Sequence, residues 1–178
     1  MGISITSTKT LAILTFLLEN RTVSQYSASK DLGISIGLVN RTFQHLLEKG
    51  IMARQGRQYA LIKPHLLSQI IAFHISVKKA SEFYVKEDTI LKGTHCLSSV
   101  TKDESNTHFF LFSEDLQRHL MEAPIGPIHV VLYKSSLDDS FAIDDNHTSA
   151  VRTIIELYAA GIDSKAQELG MHLWGVRQ

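Results

Sequence analysis

The fold turns on residues 28–51, Ala28-Ser29-Lys30-Asp31-Leu32-Gly33-Ile34-Ser35-Ile36-Gly37-Leu38-Val39-Asn40-Arg41-Thr42-Phe43-Gln44-His45-Leu46-Leu47-Glu48-Lys49-Gly50-Ile51. Gly33 can take the positive φ that ends a helix sharply, so a helix over about Gln25 to Leu32 should stop there. Ile34 then points inward, and Ser35 caps a new helix over about Ile36 to Lys49. In that helix Val39, Phe43, Leu46 and Leu47 recur at three- and four-residue intervals, which makes one buried stripe. The opposite face carries Ile36, Gly37, Asn40, Arg41, Gln44 and Glu48. Gly50 ends the helix.

Toward the amino terminus, Leu11, Leu14, Leu17 and Leu18 fall at helical spacing, with Ile13 and Phe16 widening the apolar face. They predict a first helix over about Thr8 to Glu19, with Asn20 as its stop. Arg21-Thr22-Val23-Ser24 reads as a short extended piece, and Ser24 caps the following helix. There Tyr26, Ala28 and Leu32 come within reach of a core. In the other direction, Ile51-Met52-Ala53-Arg54 and Gln58-Tyr59-Ala60-Leu61-Ile62 read as strands around Gln55-Gly56-Arg57, a hairpin with glycine at its turn. Pro64 suits the first turn of another helix. Leu66, Leu67, Ile70, Ile71, Phe73 and His74 make that stretch more apolar than a solvent-facing linker, to about residue 76. Such a helix can pack between two regions or against a second copy of the chain.

Residues 8–63 resemble the winged helix-turn-helix of bacterial and archaeal transcription regulators. A small residue opens the second helix, a glycine makes the turn, and the third helix closes on Leu47-Glu48-Lys49-Gly50-Ile51, a phrase of leucine, acid, base, glycine and apolar residue. The resemblance implies binding to double-stranded DNA. A helix fits the major groove, about 12 Å wide, and its first turns reach base edges. Asn40 and Gln44 can each form a paired hydrogen bond to adenine, and Arg41 can do the same to guanine. Ser35, Ile36 and Gly37 sit at the helix start, where small residues let peptide N–H groups approach phosphate. Arg54 and Arg57 on the hairpin can reach phosphates or the minor groove. The plainer alternatives are a solvated helix face for Asn40, Arg41 and Gln44, and a simple polar hairpin for the two arginines. Some winged helices bind only protein, which leaves an interaction adaptor without site-specific DNA binding as the second reading.

Charge divides the chain. Residues 1–80 hold ten Lys/Arg against three Asp/Glu, net +7, and residues 81–178 hold eight against fifteen, net −7. A basic region gains by releasing counterions from a polyanion, and an acidic one is repelled by it. The expected organisation is therefore α+β: a DNA-binding domain over 1–63, a linking helix over 64–79, and an acidic α/β domain over 80–178 for dimerisation, a protein partner or a small ligand. In the last, Phe83-Tyr84-Val85, Thr94 to Val100, Thr107 to Phe112, Ile128 to Tyr133 and Ser140 to Ile143 read as strands, the last of these beside its predecessor. Lys102 to Asn106 reads as a turn, and Ser113 caps a helix over Glu114 to Glu122. Helices over Ser149 to Ala160 and Ser164 to Trp174 finish the chain, with Gly161 between them and Asp163 as a cap. Ser113-Glu114-Asp115-Leu116, Thr148-Ser149-Ala150-Val151 and Glu156-Leu157-Tyr158-Ala159-Ala160-Gly161, in that order of elements, resemble the carboxy-terminal region of abortive-infection type IV antitoxins. That likeness implies a repressor of its own operon, with a protein partner.

Little in the sequence favours an enzyme. The nine histidines are scattered, and no pair sits at i, i+4 around a carboxylate as a zinc protease helix requires. His95-Cys96 would point apart on a strand, and a lone cysteine in an apolar strand is usually inert core. Phosphate-binding loops, dinucleotide glycine patterns and serine elbows are missing. Asp138, Asp139, Asp144 and Asp145 suit either a solvated loop or a divalent-ion cluster, without the glycine-serine turn of a nucleotidyltransferase. No catalytic residue, metal or cofactor is expected. The longest apolar run, Leu11 to Leu18, is too short to span a membrane and is interrupted by Thr15. With 44% hydrophobic and 20% charged residues, one cysteine and no signal-peptide pattern, the expectation is a cytoplasmic protein acting as a homodimeric repressor.

Overall fold

The structure is a computed structural model that describes residues 4, 5, 7–86, 107–112, 114–137, 142–144 and 147–175. Among these residues it is mixed α+β, with seven helices, two three-stranded sheets and one two-stranded sheet. It divides into two compact units. Met1–His74 joins Gly170–Gln178 in the first, and Ile75–Leu169 forms the second. The expected strand 94–100, with His95 and Cys96, and the turn 102–106 lie outside the described residues. So do Ser113, Asp138, Asp139 and Asp145, and the side chain of Asp144.

The first unit begins with α1 (Thr8–Asn20), capped by Ser7, whose hydroxyl accepts from the Thr10 amide at 3.3 Å. Ile13, Leu14, Leu17 and Leu18 are all but fully buried. Each contributes roughly 1.5–3 kcal/mol by leaving water, far more than helix propensity supplies. β1 (Thr22–Val23) follows, then α2 (Gln25–Leu32), where Ser24 and Ser27 form a reciprocal capping box. Gly33 ends α2 at φ 61°, as its position in the sequence requires. Tyr26, expected near the core, is 73% exposed. Ala28 takes the buried place, and residues two apart on a helix lie on opposite sides.

α3 (Ile36–Glu48) buries Val39, Thr42, Phe43 and Leu46, while Leu47 is only half-buried. Thr42 hides its hydroxyl by donating to the Leu38 carbonyl at 3.0 Å. β2 (Met52–Gln55) and β3 (Gln58–Leu61) form a hairpin in which Gln55 faces Gln58. Its two-residue loop places Gly56 first, at φ 63°, a backbone state that other residues resist. The sheet runs β1-β3-β2, antiparallel throughout.

α4 (Pro64–Phe73) is shorter than the linking helix expected over 64–79. Pro64, His65, Leu67, Ser68, Ile71 and Ala72 are buried, and the helix lies wholly inside the first unit. The end of the last helix, α7 (Asp163–Trp174), also belongs there. The Trp174 indole donates to the Leu18 carbonyl at 3.0 Å, the Arg21 guanidinium donates to the Trp174 carbonyl at 2.6 Å, and the His65 ring meets the indole edge-on at 5.1 Å. Leu18 lies in the last turn of α1, whose carbonyls have no partner within the helix, so the tryptophan finishes that helix.

The second unit is built on a sheet of order β4-β6-β5. β4 runs Val77–Val85, six residues longer at its start than expected, because Lys78 and Lys79 pair with Lys134 and Tyr133 of β6 (Ile128–Ser135) ahead of a bulge between Lys79 and Ser81. β5 (Thr107–Leu111) lies parallel to β6, and α5 (Glu114–Glu122) makes the crossover that parallel neighbours need. Val85, Phe110, Ile128, Val130 and Leu132 pack with Leu116 and Leu120 of α5 on one face. The expected strand near 140–143 appears as β7 (Ala142–Asp144), but it pairs with β8 (His147–Thr148) and not with β6. α6 (Ala150–Ala159), capped by Ser149, is buried continuously from Val151 to Tyr158. It includes an ion pair between Arg152 Nε and Glu156 Oε1 at 3.0 Å. No helix among the described residues is long and apolar enough to cross a membrane.

Candidate nucleic-acid interface

All eight residues singled out from the sequence are exposed: Ser35, Ile36, Gly37, Asn40, Arg41, Gln44, Arg54 and Arg57. α3 sorts them by angle. Burying Val39, Phe43 and Leu46 turns Ile36, Asn40 and Gln44, spaced four apart, outward along one line, with Gly37 and Arg41 beside it. Ile36 is 49% exposed at the head of that line, unusual for isoleucine.

The side chains of Arg41, Gln44 and Arg57 make no hydrogen bond or ion pair with any described residue. Arg54 folds over its own hairpin, donating from Nε to the Gly56 carbonyl at 3.1 Å. Ser35 stands at the N-cap of α3 and makes no side-chain cap bond; its carbonyl accepts from the Leu38 amide at 3.0 Å, which leaves the Ile36 and Gly37 amides open. The structure thus places the α3 residues together on one face. Among the described residues no side-chain hydrogen bond or ion pair joins them to Arg54 or Arg57.

The sequence reading missed Gln25. It opens α2, and its amide donates to the Tyr59 hydroxyl at 3.2 Å and to Asn40 Oδ1 at 3.4 Å. Tyr59 in turn packs edge-on against Phe43 at 5.1 Å. A chain of contacts therefore runs from the core side of α3, through β3, to the amide on its outer face. A polar residue just after a cap carries no sequence signal for such a role, because the partners come from two other elements.

Charge separates the two units. The first holds nine Lys/Arg against three Asp/Glu, net +6, and the other unit holds nine against fifteen, net −6. Among the described residues no group of three or more His, Cys, Asp or Glu could hold a metal ion. Compared with known proteins, the chain matches no family model, no curated protein and no solved structure.

Proposed function

We propose that this protein is a sequence-specific DNA-binding transcriptional regulator, a repressor, whose first unit is a winged helix-turn-helix. The observation that carries this reading is the outer face of α3, where Arg41 and Gln44 stand exposed and unpaired beside Asn40 in a unit of net charge +6. The element order supports it: three helices with a short strand after the first, then a hairpin whose second strand pairs with that short strand. In this reading α3 enters the major groove. Arg41 takes a guanine, and Asn40 and Gln44 take adenines. The open amides at the start of α3 meet a phosphate, and the hairpin arginines reach the backbone or the minor groove. To pair with adenine, Asn40 gives up its long hydrogen bond to Gln25, so Gln25 acts as a positioning residue that holds the amide ready. Two copies reading half-sites about one helical turn apart would make a homodimer.

The test is selection of genomic fragments, including the segment upstream of the protein's own coding sequence, at two salt concentrations. The parent should enrich a discrete site. Asn40→Ala and Arg41→Ala should lose preference for that site while keeping weak, salt-sensitive binding to any duplex. Equal selection by parent and variants sinks the assignment of α3. Absence of any duplex binding, with a protein retained in its place, would turn the reading to an interaction adaptor.

A further inference from the structure

The first unit contains a second feature that DNA binding does not use: an apolar cavity of about 210 Å³ among α1, α3 and α4. Its floor is Leu14, Leu46, Ile51 and Leu67, each at most 3% exposed. Leu66 and Ile70 of α4 form part of its lining nearer the solvent, with Leu66 38% exposed. An apolar cavity of about 150 Å³ suffices to hold benzene, and at about 30 Å³ per small group this one takes roughly seven carbon centres. Water would find few partners on such walls. Among the described residues the only charged or polar side chains in the lining are His45 and Lys49, both from the second half of α3. Lys49 pairs with no described acid, and no carboxylate lines the cavity. Lys63 Nζ lies outside the lining, 3.9 Å from where a side chain on Gly50 would begin. The cavity is therefore apolar in its depth and cationic where α3 ends.

We propose that this cavity binds an anionic amphiphile, a medium-chain or aryl monocarboxylate of roughly six to eight carbons, with its hydrocarbon against Leu46 and Leu67 and its carboxylate on Lys49. Charge complementarity selects the class. An alcohol of the same length gains the walls but not the ammonium, and an alkylammonium meets Lys49, of its own sign. The site stands apart from the DNA-binding reading, since none of the residues assigned to DNA contact lines it.

The test is calorimetric titration of the full chain with octanoate and with 1-octanol. Octanoate should bind at least about tenfold more tightly, the size of one charge-assisted hydrogen bond. Lys49→Gln should weaken octanoate about tenfold and leave 1-octanol unchanged. Ile70→Trp, which fills the cavity from its rim, should abolish both, and Leu66→Trp serves the same purpose if the first variant melts early. Absence of octanoate binding to the parent overturns the proposal. So does equal affinity for acid and alcohol, or insensitivity to Lys49→Gln, either of which removes the anion site. Binding that survives the tryptophan variants places the ligand elsewhere and overturns it as well.

Discussion

The two units differ in how many of their cations are paired with acids. In the unit Ile75–Leu169, Lys79 and the His129 imidazole lie against Glu82, Arg118 against Asp115, Arg152 against Glu156 and Lys165 against Glu168. In the other unit, Lys9, Lys30, Arg41, Lys49, Arg57 and Lys63 pair with no described acid, and Arg21 and Arg54 each give one N–H to a backbone carbonyl. A cation balanced inside its own fold contributes to structure and is withheld from partners. One left open does little for stability and is available to a phosphate or a carboxylate. The formal net charge of zero averages over both situations and so describes neither.

The largest expected effect lies where pairing is deepest. Arg152 and Glu156 side chains are 4% and 2% exposed, and Arg152 also donates to the Leu137 carbonyl at 3.3 Å. Arg152→Ala strands a buried carboxylate and should cost about 3–5 kcal/mol, read as a lowered urea midpoint. The double change Arg152→Met with Glu156→Leu should recover most of that loss, since apolar replacements of similar volume remove both desolvation costs. A loss under about 1 kcal/mol for Arg152→Ala would place the pair among ordinary surface contacts and break the contrast.

Next in size is Gly170→Ala in α7. A glycine-to-alanine change in a helix ordinarily gains up to about 1 kcal/mol. Here the added Cβ would sit 2.3 Å from His65 Cε1, and His65 is buried against Trp174. The clash should reverse the sign, to a net loss of about 1–3 kcal/mol by chemical denaturation. A gain in stability would show that the end of α7 is not seated on His65.

Arg41→Ala should separate the two uses of charge most cleanly. Its stability should stay within about 0.5 kcal/mol of the parent, because the side chain touches no partner. Its affinity for the selected DNA site should fall by about 1–3 kcal/mol, roughly ten- to hundredfold. Arg57→Ala should act differently again, weakening all sequences alike and lowering the salt slope by about one if it meets a phosphate.

Local signals made much of the first unit legible. Ser24, Gly33, Gly50 and Gly56 punctuate the chain where φ or capping demands it, and Val39, Phe43 and Leu46 mark the buried side of α3. What escaped depends on distant partners. Trp174 and Leu18 are 156 residues apart, so no window of sequence links them. Gln25 needs β3 and α3 to acquire its role. The lysines at the start of β4 look like the tail of a basic segment until β6 pairs with them, since strand preference depends on context more than on residue type. Arg152 and Glu156, four apart on a helix, carry no local sign of burial, and only the packing of α6 gives them their cost.

The smallest effect tests the exposed end of the same contrast. Glu82 receives a hydrogen bond from the Lys79 ammonium and lies 3.3 Å from His129 Nε2, which also stacks on Tyr84 at 4.7 Å. The Lys79 hydrogen bond first, and the His129 contact second, hold its carboxyl below the usual range. A carboxyl lowered in the folded state stabilises it above the unfolded value, about 4.3 for glutamate, and loses that contribution as pH falls through the lowered folded value. Glu82→Gln should therefore shift the urea midpoint slightly downward at pH 7 and not at all once the parent's carboxylate is protonated. The shift at pH 7 should also fade in 1 M salt, where the screening length is about 3 Å. A loss approaching that of Arg152→Ala, or one unmoved by salt, would show Glu82 to be held inside the fold. Pairing in the acidic unit would then be structural at its surface as well as at its centre.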